Sequence, residues 1–151
     1  MNLTSFEDVI DFAIKREKEA VKFYVDLQKI SRFSAQKSLL KEFELMEHGH
    51  VNLLNSVKKR NSAEKLKVDI PADIKLNEYL VESLPVPEMS YQDILIIAIK
   101  REEKSAKLYS GLLAGTSDSS LRNIFEKLVS EEKKHKHHFE VIYEKDIQAD
   151  N

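Results

Sequence analysis

The stretches Glu47-His48-Gly49-His50 and Glu132-Lys133-Lys134-His135 carry the same Glu-x-x-His pattern, and a single glutamate, Glu17 or Glu102, stands thirty residues before each. Glu17 to Glu102, Glu47 to Glu132 and His50 to His135 are all separated by 85 positions. The surrounding residues repeat as well, since Ala13-Ile14-Lys15-Arg16-Glu17 through Tyr24 reads against Ala98-Ile99-Lys100-Arg101-Glu102 through Tyr109. The chain is therefore a duplicated helical hairpin whose acids fall among apolar positions.

Composition agrees. With 151 residues, 42% hydrophobic and 33% charged, the chain is expected to form a single domain over 1–151 that can bury a continuous core. Three glycines and three prolines leave little material for tight sheet turns, and the apolar spacing is helical nearly throughout, so the fold class is all-α. A net charge of −2 with interspersed signs provides no basic stripe for nucleic acid or an anionic membrane. The absence of cysteine excludes disulfides, zinc ribbons and thiolate-ligated iron within this chain. The first residues carry acids where a signal peptide has a basic patch and an apolar run. No stretch approaches the roughly 20 apolar residues of a membrane span, and a cytoplasmic location is expected.

In chain order, Ser5-Phe6-Glu7-Asp8 presents a capping hydroxyl followed three residues later by an acid, which starts a first helix. Phe6, Val9, Ile10, Ala13, Ile14, Ala20, Val21, Tyr24 and Leu27 then form one stripe at helical spacing, with Glu17 in its middle. A second helix is predicted over about 34–59, with Leu39, Leu40, Phe43, Met46, Leu53, Leu54 and Val57 inward. Glu47 and His50 share that face, because residues three apart on a helix are neighbours. These two helices make a hairpin over 5–60.

From 61 to 89 the pattern breaks, with Pro71, Pro85 and Pro87 bounding a short amphipathic piece, Ile74 to Leu84. The segment is too long for a hairpin turn and reads as a crossover along the bundle, with the third helix expected to start at the same end as the first. A second hairpin follows over 90–146. Ser90-Tyr91-Gln92-Asp93 repeats the capping signature, and Leu95, Ala98, Ile99, Ala106, Tyr109, Leu112 and Leu113 surround Glu102. Gly115 to Ser119 is a turn. The last helix turns Leu121, Ile124, Phe125, Leu128, Phe139 and Ile142 inward beside Glu132 and His135, and is expected to fray near Asp146.

A core that holds four carboxylates and two imidazoles conflicts with the cost of burying charge, since an unpartnered buried carboxylate is forced to keep its proton. Two divalent ions resolve the conflict, because four negative charges then face four positive ones. Oxygen and imidazole donors without thiolate suit iron or manganese. One Glu from each of two helices and Glu-x-x-His from each of the other two is the ligand set of the known di-metal four-helix bundles. The predicted metal residues are Glu17, Glu47, His50, Glu102, Glu132 and His135. His48, His137 and His138 lack this support and read as solvent-facing, with His138 one turn beyond His135. Glu44 and Glu131 read as surface or outer acids around the motifs, and Tyr24 and Tyr109 as core residues with hydrogen-bonded hydroxyls.

Ala13-Ile14-x-x-Glu17, Glu47-x-x-His50, Ala98-Ile99-x-x-Glu102 and Glu132-Lys133-x-His135 together resemble the di-iron domain of rubrerythrins, within the ferritin-like superfamily. The likeness covers nearly the whole chain. It implies a left-handed ferritin-like four-helix bundle of two hairpins joined by a long crossover, with two iron ions (or manganese, or a mixture) and redox chemistry on hydrogen peroxide or dioxygen. It further implies that Glu17, Glu47, Glu102 and Glu132 are carboxylate ligands, with Glu47 and Glu132 the bridges, and His50 and His135 nitrogen ligands, all six being the catalytic set. A small oligomer, most simply a homodimer, is the expected assembly.

Two departures stand out. Rubrerythrins usually carry a further glutamate one turn after the third-helix ligand, and here that position is Ser105, with Ala20 as its repeat mate. They also usually carry a four-cysteine rubredoxin module, whereas this chain has no cysteine, so turnover depends on a separate electron-donor protein. Three functions stay open: reduction of hydrogen peroxide to water by a di-iron peroxidase, a ferroxidase or iron-handling role, and a non-enzymatic metal-stabilised bundle.

Overall fold

The computed structural model describes residues 5–70 and 89–150. Among these residues the chain forms four α-helices, α1 (Phe6–Gln28), α2 (Lys37–Glu64), α3 (Tyr91–Ala114) and α4 (Ser119–Asp150), with a short 3-10 helix, Ser31–Gln36, between the first two. Helix α1 lies along α2, and α3 along α4. Both predicted caps form: Ser5 Oγ accepts the Asp8 N–H at 3.1 Å and Ser90 Oγ the Asp93 N–H at 3.0 Å. Each satisfies a backbone donor that the helix itself leaves open, and stabilises its helix by about 1 kcal/mol.

Helix α2 is displaced from the predicted 34–59. Its start waits until Lys37 because Phe33 N–H bonds to Ile30 O at 3.0 Å in a tighter turn, which buries the Phe33 ring edge-on to Tyr91 at 4.7 Å. At the far end α2 runs on to Glu64, where Arg60 Nε bonds to Glu64 at 3.0 Å and Arg60 Nη2 to Asp118 at 2.6 Å. Lys65, with φ of 51°, closes the helix in the left-handed region, its N–H on Asn61 O and the Leu66 N–H on Asn61 Oδ1. Helix α4 likewise passes the expected fraying point. Ile142 and Tyr143 pack on the core, and Asp146 faces Arg32 at 3.8 Å. The amphipathic piece Ile74 to Leu84 lies outside the described residues.

The core divides into two apolar clusters. One is built from Val9, Ile10, Ala13, Leu54, Leu112, Phe125 and Leu128, among others, and the second from Tyr24, Leu27, Leu40, Phe43, Leu95, Ala98 and Phe139 and their neighbours. Each helix contributes to both and places its acids between them. The 85-residue repeat exchanges the clusters: Ile10 of the first matches Leu95 of the second, Leu27 of the second matches Leu112 of the first, and Leu40 matches Phe125. The duplicated hairpins are thus related by an approximate twofold that crosses the bundle at the level of the acids.

This relationship corrects the expected direction of the third helix. Helix α1 begins in the first cluster, whereas α3 begins in the second, at the end where α2 begins. The short connection makes α2 antiparallel to α1, so α2 ends where α1 started, and the described chain resumes at Met89 beside the second cluster. The crossover is anchored at its start, where Leu66, Val68 and Ile70 pack on the first cluster and Asp69 N–H bonds to Gly115 O at 2.8 Å. No described helix is long and apolar enough to cross a membrane.

Candidate metal centre

Glu17 from α1, Glu47 and His50 from α2, Glu102 from α3, and Glu132 and His135 from α4 converge at the level between the two clusters. All six are buried, none more than 3% exposed. Their donor atoms form two overlapping groups, Glu17, Glu47, His50 and Glu132, and Glu47, Glu102, Glu132 and His135, each with one atom per residue within 4.8 Å of the others. Glu47 and Glu132 belong to both. His50 Nδ1 lies 3.3 Å from Glu17 Oε2, 3.6 Å from Glu47 Oε2 and 3.1 Å from Glu132 Oε1. His135 Nδ1 lies 3.1 Å from Glu47 Oε1 and 3.6 Å from Glu102 Oε2. Helical geometry explains this economy, because a Glu and a His three residues apart reach the same spot from one backbone.

Hydrogen bonding does not satisfy this cluster. Among the described residues, Glu47 Oε1 and Oε2, Glu102 Oε2, Glu132 Oε1 and both ring nitrogens of His135 are buried without a hydrogen-bond partner. Burial, then the charge of Glu17, pushes the Glu47 carboxyl far above its ordinary range. Burial followed by the charges of Glu102 and Glu47 does the same to Glu132. Burial pushes Glu17 up, yet the nearby Glu47 carboxyl and its contacts with His50 and Tyr109 outweigh it and hold Glu17 lower. Burial disfavours a charged His50, yet its contacts with Glu132, Glu17 and Glu47 win and favour the proton. Unpartnered oxygens and nitrogens around one point, in two sets that share two carboxylates, fit a pair of divalent cations.

The surroundings hold these groups in place. Tyr109 donates its hydroxyl hydrogen to Glu17 Oε1 at 2.5 Å, and Tyr24 donates to Glu102 Oε1, so each tyrosine fixes the single glutamate of the opposite hairpin. Burial, with the facing carboxylates adding to it, raises both tyrosines well above the ordinary phenol range, so both keep their protons as donors. The His135 ring stacks on Phe43 at 4.0 Å and meets Tyr24 edge-on at 5.9 Å. His50 turns its Nε2 to Glu131 Oε2.

Helical spacing assigns no role to Arg16 and Arg101, the residues immediately before the single glutamates. Both are buried: Arg16 bonds to Glu19 at 2.7 Å, and the Arg101 guanidinium lies 5.0 Å over the Phe23 ring. Their equivalence in the repeat is the signal that could have found them. Glu44, read as a surface or outer acid, is buried and accepts from Gln28 at 3.0 Å and Lys41 at 2.9 Å. His48 and His137 are not brought into the cluster; His48 is exposed as expected, whereas His138 is partly buried, edge-on to Phe43 at 5.4 Å. A surface groove lined by Leu113, Val129, Lys133 and His137 includes none of the six clustered residues.

A hypothetical protein from Pyrococcus furiosus shares this fold, with a TM-score of 0.73 and 23% identity over 93% of this chain and 89% of that one. No curated protein matches the sequence. The rubrerythrin family matches residues 8–143, a span that contains both hairpins and all six buried Glu and His residues. The chain belongs to the rubrerythrin family.

Proposed function

We propose that this chain is a non-haem di-iron redox protein that reduces hydrogen peroxide to water with electrons from a separate donor protein. The observation that carries this reading is the near-symmetric ligand set: Glu17 with His50 on one side, Glu102 with His135 on the other, and Glu47 and Glu132 common to both. In this reading Glu47 and Glu132, common to both groups, would help to hold both ions, and the remaining four residues would each help to hold one. Two ferrous ions held there would supply the chemistry of two-electron reduction, one electron from each, by which one hydrogen peroxide and two protons become two waters.

The protein contributes position and environment. Tyr24 and Tyr109 hold Glu102 and Glu17 by hydrogen bonds that keep the phenolic proton on oxygen. Phe43, Phe139 and Tyr24 wall the His135 side and exclude water from it. The four glutamates offset the charge of two divalent ions, so the buried set is neutral when loaded. Ser105, partly buried one turn past Glu102, offers no carboxylate where rubrerythrins usually have one, and turnover is expected to be slower than in a site with that extra acid.

Stopped-flow absorbance after mixing the anaerobic iron-loaded protein with each oxidant tests the proposal. Hydrogen peroxide is expected to oxidise it faster than dioxygen, with Glu47→Ala or Glu132→Ala abolishing the fast phase and His137→Ala leaving it intact. Faster reaction with dioxygen moves ferrous-iron oxidation ahead as the function, since that chemistry uses the same six residues. We also propose a homodimer in solution. Light scattering that gives a large multi-subunit shell sinks this part.

A further inference from the structure

The twofold that relates the two halves is broken behind the histidines. Glu131 on α4 places Oε2 on His50 Nε2, while its Oε1 faces Lys127 Nζ at 3.9 Å toward the surface. The residue that the 85-position repeat puts in its place on α2 is Met46, which packs with the second apolar cluster. A thioether is a poor acceptor for an imidazole N–H. Accordingly, the corresponding nitrogen of the other half, His135 Nε2, is buried with no hydrogen-bond partner among the described residues. Its ring is held by Phe43, stacked at 4.0 Å, and by Tyr24. The two halves present the same six inner groups and differ in what stands behind the histidines.

We propose that Glu131 is a positioning residue that makes the two metal positions unequal, with the Glu17–His50 position the tighter. By accepting the Nε2 hydrogen, the carboxylate leaves Nδ1, which faces Glu17, Glu47 and Glu132, as the nitrogen that gives up its proton to a metal ion, and it strengthens that nitrogen as a donor. Among the described residues His135 has no such acceptor, so its ring is ordered only by what its inner nitrogen meets and by its aromatic neighbours, and part of the binding energy there goes into ordering it. Loss of an acceptor behind a ligating histidine typically lowers metal affinity about 10- to 100-fold. A difference of that size between the two positions is expected here. This inference rests on the metal-binding reading above and adds an order of filling to it.

Titration of the metal-free protein with cobalt(II), followed by its visible absorption, separates the possibilities. The native chain is expected to take up two ions in two steps about 10- to 100-fold apart. Glu131→Ala should weaken the tighter step by that factor, so that the steps merge, while leaving the weaker step and its spectrum unchanged. In Glu131→Gln the amide oxygen still accepts the Nε2 hydrogen, and most of the separation should survive. Proton spectra of the metal-free protein offer a second readout that does not depend on cobalt: the His50 Nε2 hydrogen, held by Glu131, should give a slowly exchanging downfield signal in the native and Gln forms that is lost in the Ala form. Two equal steps in the native protein overturn the inference. So does equal weakening of both steps by Glu131→Ala, which marks a general loss of structure, or failure of Glu131→Gln to rescue. If no cobalt binds at all, the metal-binding reading falls first and takes this inference with it.

Discussion

Tyr109 of α3 donates its hydroxyl hydrogen to Glu17 of α1 at 2.5 Å, tying the second hairpin to the first at the edge of the acid cluster. A hydrogen bond to an ionised group contributes about 1.5–3 kcal/mol when buried. Tyr109→Phe removes the donor and keeps the ring, so it should destabilise the protein by about that amount. It should also loosen Glu17, so that metal affinity falls along with stability. Urea denaturation with and without metal measures both. A Tyr109→Phe chain with native stability in each condition is inconsistent with the bond described.

The acids make the metal-free protein sensitive to pH. Glu47 and Glu132 have folded-state pKa values raised above the ordinary 4.5, first by burial and then by neighbouring carboxylates. Their contribution is fully present below about pH 4.5 and is lost as pH rises through the raised values. At His50 and His135 burial disfavours the charged ring, but the facing carboxylates outweigh it and raise both from 6.5, adding a loss of the same sign above that pH. Glu17, lowered despite its burial, acts oppositely and only below 4.5. Metal-free protein should therefore melt higher at pH 5.5 than at pH 7.5. A tenfold change in one group's proton affinity on folding corresponds to about 1.4 kcal/mol, or about 2–4 °C for each kcal/mol in a domain of this size. Metal should raise the melting temperature more at pH 7.5. Thermal melts of both forms at the two pH values check the sign, and a metal-free form that is more stable at pH 7.5 contradicts it.

Two glycines should respond to alanine with opposite signs. A Cβ at Gly115 would sit 1.9 Å from the Asp69 carbonyl oxygen, where the start of the crossover lies against the α3–α4 turn. Neither backbone can yield without breaking the Asp69 N–H bond to Gly115 O, so Gly115→Ala should cost about 1–3 kcal/mol. Gly49 lies exposed inside α2 with nothing within 4 Å of a Cβ. Gly49→Ala should stabilise by about 1 kcal/mol through helix propensity alone. Chemical denaturation of the two variants tests the pair.

Legibility in the sequence followed the duplication. Glu17, Glu47, His50, Glu102, Glu132 and His135 can be read because each appears twice at one offset on an inward stripe, and the structure brings all six to one level. Glu131 can be read only as a flanking acid, because its partner His50 lies 81 positions away and its repeat mate is a methionine. Arg16 and Arg101 repeat faithfully, yet helical spacing alone does not tell a buried arginine from one at a boundary. The direction of α3 differs from the expected one because apolar periodicity carries no sign along the helix axis. It becomes visible only when Ile10 and Leu95, equivalent in the repeat, fall in opposite clusters. Phe33 ends the first connection differently from the expected helix start because its burial against Tyr91 is a contact over long sequence distance.

The central claim is that these six residues hold two metal ions between the apolar clusters. Crystals of the protein loaded anaerobically with ferrous iron, measured at the iron absorption edge, give an anomalous difference map that locates iron directly. The account predicts two peaks, about 3.5–4 Å apart as in other two-metal sites, with Glu47 and Glu132 between them. One iron should lie beside Glu17 and His50, and the other beside Glu102 and His135. A map with no peak among these residues, or with a single ion that leaves one histidine unligated, would contradict it.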